Sequence, residues 1–197
     1  MGKTVVLDNG HGGVIGGVYQ TAGKRSPNWD KGVLYEGMFN RWIVNRVIEK
    51  LDIHGIPYYH VSPELTDTSL WRRVDRSKDI YGVNKDTYLL SIHANAGGGT
   101  GAEIWTSEGQ DESDKIADVL HKHVGGLYGQ RFRTDMSDSD IDKENAFYIF
   151  NSPMPSVLYE VGFMDNKNDY DLLWNVAFRE EVVCKVVDFI MEMYYEY

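Results

Sequence analysis

Residues 4–13, TVVLDNGHGG, decide the fold. Thr4 to Leu7 is an apolar run of strand length, and it stops at the turn-rich Asp8-Asn9-Gly10, which hands the chain over to His11. The same design recurs twice. Thr87 to Ile92 (TYLLSI) reads as a strand that runs into His93 and then the flexible Gly97-Gly98-Gly99, and Ser156 to Val161 reads as a strand that carries Glu160. Ile56 to Val61, Ala102 to Trp105 and Phe147 to Phe150 are further strand candidates. Between these runs lie amphipathic stretches. Phe39, Ile43, Val47 and Leu51 recur every four residues, so a helix is predicted over Glu36 to His54, closed by Gly55. A second helix, capped by Asp67 or Ser69, is predicted to run to about Tyr81 with Leu70, Val74 and Ile80 turned inward. A third covers Glu112 to Leu127, and Val182, Val183, Val186, Val187, Ile190 and Met191 mark a last one. Strands alternating with helices predict an α/β fold: a mainly parallel, twisted sheet with helices on both faces. The irregular stretch from Gly12 to Tyr35 has a length that compact domains keep for function.

Composition narrows the function. The 197 residues make one domain the simplest division, and 42% hydrophobic residues are enough to build a sizeable core. A net charge of −10 argues against a protein that grips nucleic acid through a basic face. The single cysteine, Cys184, excludes an intramolecular disulfide and a Cys-based zinc knuckle, and its apolar helical setting reads as core. The start of the chain lacks the apolar stretch of roughly 7–15 residues that a secretory signal needs. Val6 stands where a myristoylation motif wants Ser or Thr, and no run approaches the ~20 apolar residues of a membrane-spanning helix. The expectation is a chain made in the cytoplasm, without a signal peptide and without stable membrane association.

Three of the strands deliver a polar residue that core packing does not need: His11, His93 and Glu160. In open α/β sheets ligands bind at the carboxyl ends of strands, so these residues can meet at one edge. Glu36 opens the first long helix and is a fourth candidate. Two imidazoles and a carboxylate, with one position left for water, form a catalytic zinc set. His11, Glu36 and His93 would then be the ligands of one Zn²⁺, leaving Glu160 as general base and proton donor. The spacing alone leaves another reading open, in which the histidines are hydrogen-bonded turn residues and the glutamates are ordinary terminal charges.

LDNGHGG, the Glu in LYEGMFNRWIV, SIHANA and PSVLYEVGFMDN occur in the order that resembles zinc-dependent N-acetylmuramoyl-L-alanine amidases of the Amidase_3 type. WRRVDR is similar to the Leu-x-x-Arg segment of that family and TGAEIW to its Gly-Val-Glu strand, so the likeness covers about Lys3 to Leu173. The resemblance implies a sheet of about six strands, Zn²⁺ on His11, Glu36 and His93, and Glu160 as the catalytic carboxylate. It also implies cleavage of the amide between muramic acid and the L-alanine of the peptidoglycan stem. Asn9 replaces the family's usual Pro. The loop TAGKRSP resembles those of phage-borne members, and no wall-binding repeat or separate wall-binding domain follows. The resemblance therefore points to an endolysin, a single catalytic domain over 1–197 released to the cell wall with a holin's help. A zinc peptidase cutting within the stem peptide, a non-catalytic wall-binding module and an unusually exported wall-remodelling enzyme are the competing readings.

Other residues carry weaker signals. Lys24 and Arg25 in the long loop are candidates for the carboxylates of the stem peptide, with solvated loop charges as the competing reading. Arg76 is expected to face inward as a structural arginine, and Glu103 to support the site rather than react. His121 and His123 lie two apart on a helix and make a poor metal pair. His54 and His60 read as surface groups. Asp135, Asp138, Asp140 and Asp142 match a calcium loop only loosely and read as an exposed acidic loop, with Arg131 to Glu144 the one place for a regulatory helix. Tyr194, Tyr195 and Tyr197 are expected to pack on the sheet.

Overall fold

The computed structural model describes residues 2–135 and 141–197. β1 (Thr4–Asp8) leads into a short antiparallel hairpin, β2 (Val14–Ile15) and β3 (Val18–Tyr19), and then into α1 (Glu36–His54) and β4 (Tyr58–His60). α2 (Leu70–Val83), β5 (Thr87–Asn95), β6 (Glu103–Thr106), α3 (Glu112–Val124) and β7 (Lys143–Glu144) follow. A 3-10 turn at Tyr148–Asn151 precedes β8 (Ser156–Phe163), α4 (Lys167–Trp174) and α5 (Val176–Glu196). Among the described residues the main sheet has six strands in the order β4-β1-β5-β8-β6-β7. β4, β1, β5 and β8 are parallel, β6 runs antiparallel to β8, and β7 pairs parallel with β6.

The alternation of side chains along each strand sorts the core into two layers. Val5, Leu7, Tyr88, Leu90, Ile92, Val157, Tyr159 and Val161 turn to one face, where α1, α3 and α5 bury Ile43, Val47, Leu120, Phe178 and Phe189 against them. Each such side chain removed from water contributes about 1.5–3 kcal/mol. The opposite face is covered thinly. Val6, Leu89 and Leu158 form a smaller cluster with Val61, Val74 of α2, Ile149 of the 3-10 turn and Met154, edged by partly buried Tyr59, Ile80, Tyr81, Trp105 and Phe150. Continuing the same parity, Asp8, Ser91, His93, Glu103 and Glu160 fall on this thinly covered face. The chain thus builds a dense layer behind the sheet and a gap in front of its polar residues.

α1 spans the predicted residues and ends at Gly55, whose φ of 66° makes the left-handed cap. Elsewhere the structure differs from the sequence reading. Phe147 to Phe150 is not a strand: the chain makes a 3-10 turn there, closed by Asn151 Nδ2 donating to the Tyr148 carbonyl. α3 stops at Val124 instead of Leu127, because Gly125 and Gly126 break it. α2 turns Arg73, Val74 and Ser77 inward and leaves Leu70 exposed and Ile80 half-buried, so its buried stripe is more polar than expected. Ser69 takes the cap position with no side-chain bond, and Asp67 instead faces Arg73 at 3.6 Å. Cys184 is half-buried rather than core. Tyr194 packs on the core, whereas Tyr195 and Tyr197 are exposed. No helix among the described residues is long and apolar enough to cross a membrane.

Candidate active site

β1, β5 and β8 end side by side, and their polar residues meet at the mouth of the gap. Each site residue is held by a local necessity. Gly10 adopts φ 67°, and a Cβ there would lie 2.3 Å from the His93 ring, so only glycine lets the turn pass. Gly37 is equally constrained, because its Cβ would sit 2.0 Å from the Gly12 carbonyl oxygen. That close approach sets the His11 loop against the start of α1. Glu36 therefore stands at a helix N-terminus, where a negative side chain is favoured. Its N–H donates to the Lys24 carbonyl (3.0 Å), and the Gly37 N–H donates to Tyr19 Oη (2.9 Å).

Glu36 Oε1 lies 2.8 Å from His93 Nδ1 and 3.2 Å from His11 Nε2. The two rings meet edge to face at 5.1 Å between centroids. One donor atom from each of the three residues lies within 4.8 Å of the others, which makes them a group able to hold a metal ion. Burial opposes the charge on Glu36, but the hydrogen bonds to His11 and His93 prevail and hold its carboxyl well below the usual range. For His93, burial works the other way and is outweighed by Glu36, which raises its pKa. Glu160 pairs with His93 across the β5–β8 ladder. Burial, reinforced by Glu36 and Glu103 against the pull of His93, pushes its carboxyl up to about 8. Its Oε2 is buried without a hydrogen-bond partner. These residues line a cleft of about 260 Å³, which Lys24 borders from the segment leading into α1 and Leu70, Phe147 and Tyr148 border from the α2 face.

Beneath the cleft is a polar support that the sequence reading did not single out. Asp8 is fully buried and accepts from Ser62 Oγ and Ser91 Oγ, both at 2.6 Å, with Arg73 Nη1 at 3.5 Å. Burial alone would raise its pKa, but Arg73 and the two hydroxyls bring it down to about 2. Arg73 also donates to the Thr68 carbonyl at 2.7 Å. Arg41 ties down the loop before the cleft, donating to the carbonyls of His11 (3.2 Å), Ser62 (3.3 Å) and Pro63 (3.1 Å). Ser91 inside TYLLSI was the available clue, a hydroxyl in an otherwise apolar strand.

The remaining candidates separate clearly. Arg73 is the buried arginine; Arg76 is half-buried, donating to the Val61 carbonyl at 2.6 Å and pairing with Glu64. Lys24 lines the cleft, whereas Arg25 is exposed outside it. Glu103 is buried and receives Asn95 Nδ2 (2.7 Å), Lys143 Nζ and Arg133 Nε (both 2.8 Å), so it is a supporting group. His60 is not a surface group: it lies 2.7 Å from Asn9 Oδ1, and burial lowers its pKa to about 4, while His54 is exposed. His123 pairs with Glu192 and His121 packs on Phe132, so they share no ligand site. Asp142 is fully buried and hydrogen-bonded by Thr106, which corrects the exposed acidic loop at that position. Asp138 and Asp140 lie outside the described residues, and the described part of 131–144 contains no helix.

The Amidase_3 family, N-acetylmuramoyl-L-alanine amidase, matches residues 5–192. The chain belongs to this family of amidases. It is 28% identical over 207 residues to an uncharacterised cell wall amidase of Bacillus anthracis, covering 100% of this chain and 36% of that protein. The endolysin of Bacillus phage SPP1 is 28% identical over 193 residues, covering 92% of this chain and 62% of the endolysin. Among solved structures, the catalytic domain of CwlV, an N-acetylmuramoyl-L-alanine amidase from Paenibacillus polymyxa, superposes with a TM-score of 0.77 at 26% identity, covering 96% of this chain and 97% of that one. The chain thus spans about a third of the anthracis relative and nearly the whole CwlV catalytic domain. The six-stranded sheet places this Amidase_3 chain in the expected fold.

Proposed function

We propose that this chain hydrolyses the amide between N-acetylmuramic acid and L-alanine in peptidoglycan, with one zinc ion on His11, Glu36 and His93 and with Glu160 as the catalytic carboxylate. The observation that carries the reading is the convergence of two imidazoles and a carboxylate within 4.8 Å, beside a buried carboxyl whose Oε2 has no partner, in a chain of the amidase family. The donor set fits zinc: nitrogen and oxygen ligands, three in number, opening on a cleft. When bound, the ion supplies Lewis acidity that polarises the scissile carbonyl and acidifies water. In its ionised form Glu160 takes the proton of the attacking water through its unpartnered oxygen and then passes it to the departing alanine nitrogen. Asp8 and Ser91 lie under His93, and Arg41 holds the His11 carbonyl, so the ligands need little reorganisation. Lys24 at the cleft edge provides a cation for a carboxylate of the stem peptide.

Mass spectrometry of digested sacculi tests this. Peptides with a free L-alanine amino terminus, released with zinc and not with chelator, are the expected product. Cleavage inside the stem would move the chain to peptidase chemistry on the same ligands, and no release by a folded, zinc-loaded protein would favour a wall-binding module. The likeness to the SPP1 endolysin supports a lytic role, and release through a holin is our reading of how the chain would reach the wall. Cells expressing the chain should lyse when a holin is co-expressed and grow normally without it.

A further inference from the structure

The cleft does not end at Phe147. That residue also borders a second depression of about 210 Å³ with Ser107, Asn145 and Asn151. Ser107 and Phe150 in turn border a third, of about 310 Å³, so each of the three depressions shares wall residues with the next. Phe147 and Tyr148 are exposed at 36% and 49%. The Phe147 ring is fixed edge-on against Trp105 (5.4 Å) and tilted against Phe150 (5.9 Å), so its orientation is set before anything binds. An exposed apolar surface in line with a cleft marks a binding groove.

We infer that the glycan strand of the substrate lies in this trough, passing over Phe147 and Tyr148 and on past Asn145, Asn151 and Ser107. The inference rests on the amidase reading for the identity of the substrate and on the trough itself for its direction. Charge decides between glycan and peptide. The second depression is lined by two amides, a hydroxyl, aromatic rings and one carboxylate, Glu108, with no lysine or arginine. An acidic stem peptide would meet repulsion there, whereas uncharged pyranose rings offer C–H faces to the aromatics and hydroxyl and acetamido groups to the amides. The cation that suits the peptide, Lys24, lies on the α1 side of the cleft. The sugar and peptide arms of the substrate are thereby sent to different sides.

The test uses the zinc-loaded chain and chitotetraose, a linear N-acetylglucosamine tetramer that has no peptide and no scissile amide. Titration followed by tryptophan fluorescence and calorimetry should give a Kd of about 1 mM or tighter. Asn145→Ala, verified as folded by circular dichroism, should weaken it about fivefold, the effect of one lost hydrogen bond. The same variant should raise KM about fivefold on sacculi and leave KM unchanged on a muramyl peptide with a single sugar. Absence of chitotetraose binding, or equal effects on the long and the single-sugar substrates, overturns the inference. Sugar binding without release of alanine-terminated peptide would leave the trough standing and remove the amidase reading; release without sugar binding would do the reverse.

Discussion

Glu103 and Glu160 stand directly opposite one another in the antiparallel β6–β8 pair. Two carboxylates in that relation repel, and the structure resolves the conflict unequally. Glu103 is surrounded by Arg133, Lys143, Asn95 and the Trp105 indole, whereas Glu160 Oε2 has no partner. One is held by four donors, and the other faces the cleft with an oxygen left over. Glu103→Ala should cost about 3 kcal/mol, because it leaves two cations and an amide without their acceptor. Urea denaturation measures this, and a loss below about 0.5 kcal/mol would make the cluster a surface ornament.

Asp8 and Arg73 form a buried pair under the cleft, 3.5 Å apart and 0% and 3% exposed. Either single change, Asp8→Asn or Arg73→Met, should destabilise by about 3 kcal/mol, since Arg73 would keep only the half-exposed Asp67 as a counter-charge and Asp8 only its uncharged donors. The double variant should recover part of this, with a coupling energy of about 1–3 kcal/mol in a denaturation cycle. Strict additivity would mean that the two charges do not support one another.

Gly37→Ala places a methyl group 2.0 Å from the Gly12 carbonyl oxygen and 2.9 Å from the His11 carbonyl carbon. The His11 loop must then move off α1, and zinc affinity should drop at least about tenfold. Gly82→Ala is the control: no atom lies within 4 Å of its Cβ, and it sits inside α2. That change should stabilise by about 0.5–1 kcal/mol through helix propensity, with no effect on metal. Competition titration with a chromophoric chelator reads both.

His60 sets a pH dependence of stability. Its pKa is 6.5 in the unfolded chain and about 4 in the fold, where burial disfavours the imidazolium. Between these values the unfolded chain binds a proton that the folded one does not, so the His60 contribution to stability falls as pH drops from 6.5 to 4, by up to about 3 kcal/mol, against an opposite contribution from the raised Glu160 carboxyl above pH 4.5. Asp8, lowered to about 2, adds a further loss below pH 3.8. Relative to the unaltered chain, His60→Gln should shift the slope between pH 6.5 and 4 toward greater stability at the acid end and leave the lower window intact. An unchanged slope between pH 6.5 and 4 would place the titrating group elsewhere.

The sequence was legible where chemistry and periodicity coincided. The strands that lead to His11, His93 and Glu160 are short, mainly apolar runs, and α1 shows a repeat of four that ends at a glycine. What stayed hidden depended on tertiary placement. Arg73 and Arg76 are three apart on α2, and only the packing of that helix over Asp8 decides which one is buried. Phe147-Tyr148-Ile149-Phe150 has the residues of a strand, yet Ile149 alone is buried and the chain turns. His60 looked like a strand-end surface residue because Asn9, its partner, lies 51 positions away in the chain.

The division of labour between the three ligands and Glu160 is the central claim, and zinc content measured alongside turnover on the same samples addresses it most directly. Glu160→Gln should retain about one zinc per chain by elemental analysis and lose release of alanine-terminated peptide by several orders of magnitude, about 10³-fold or more. His93→Ala should lose both the metal and the activity. A Glu160→Gln protein that works within about tenfold of the unaltered chain, or a His93→Ala protein that keeps its zinc, would contradict the account.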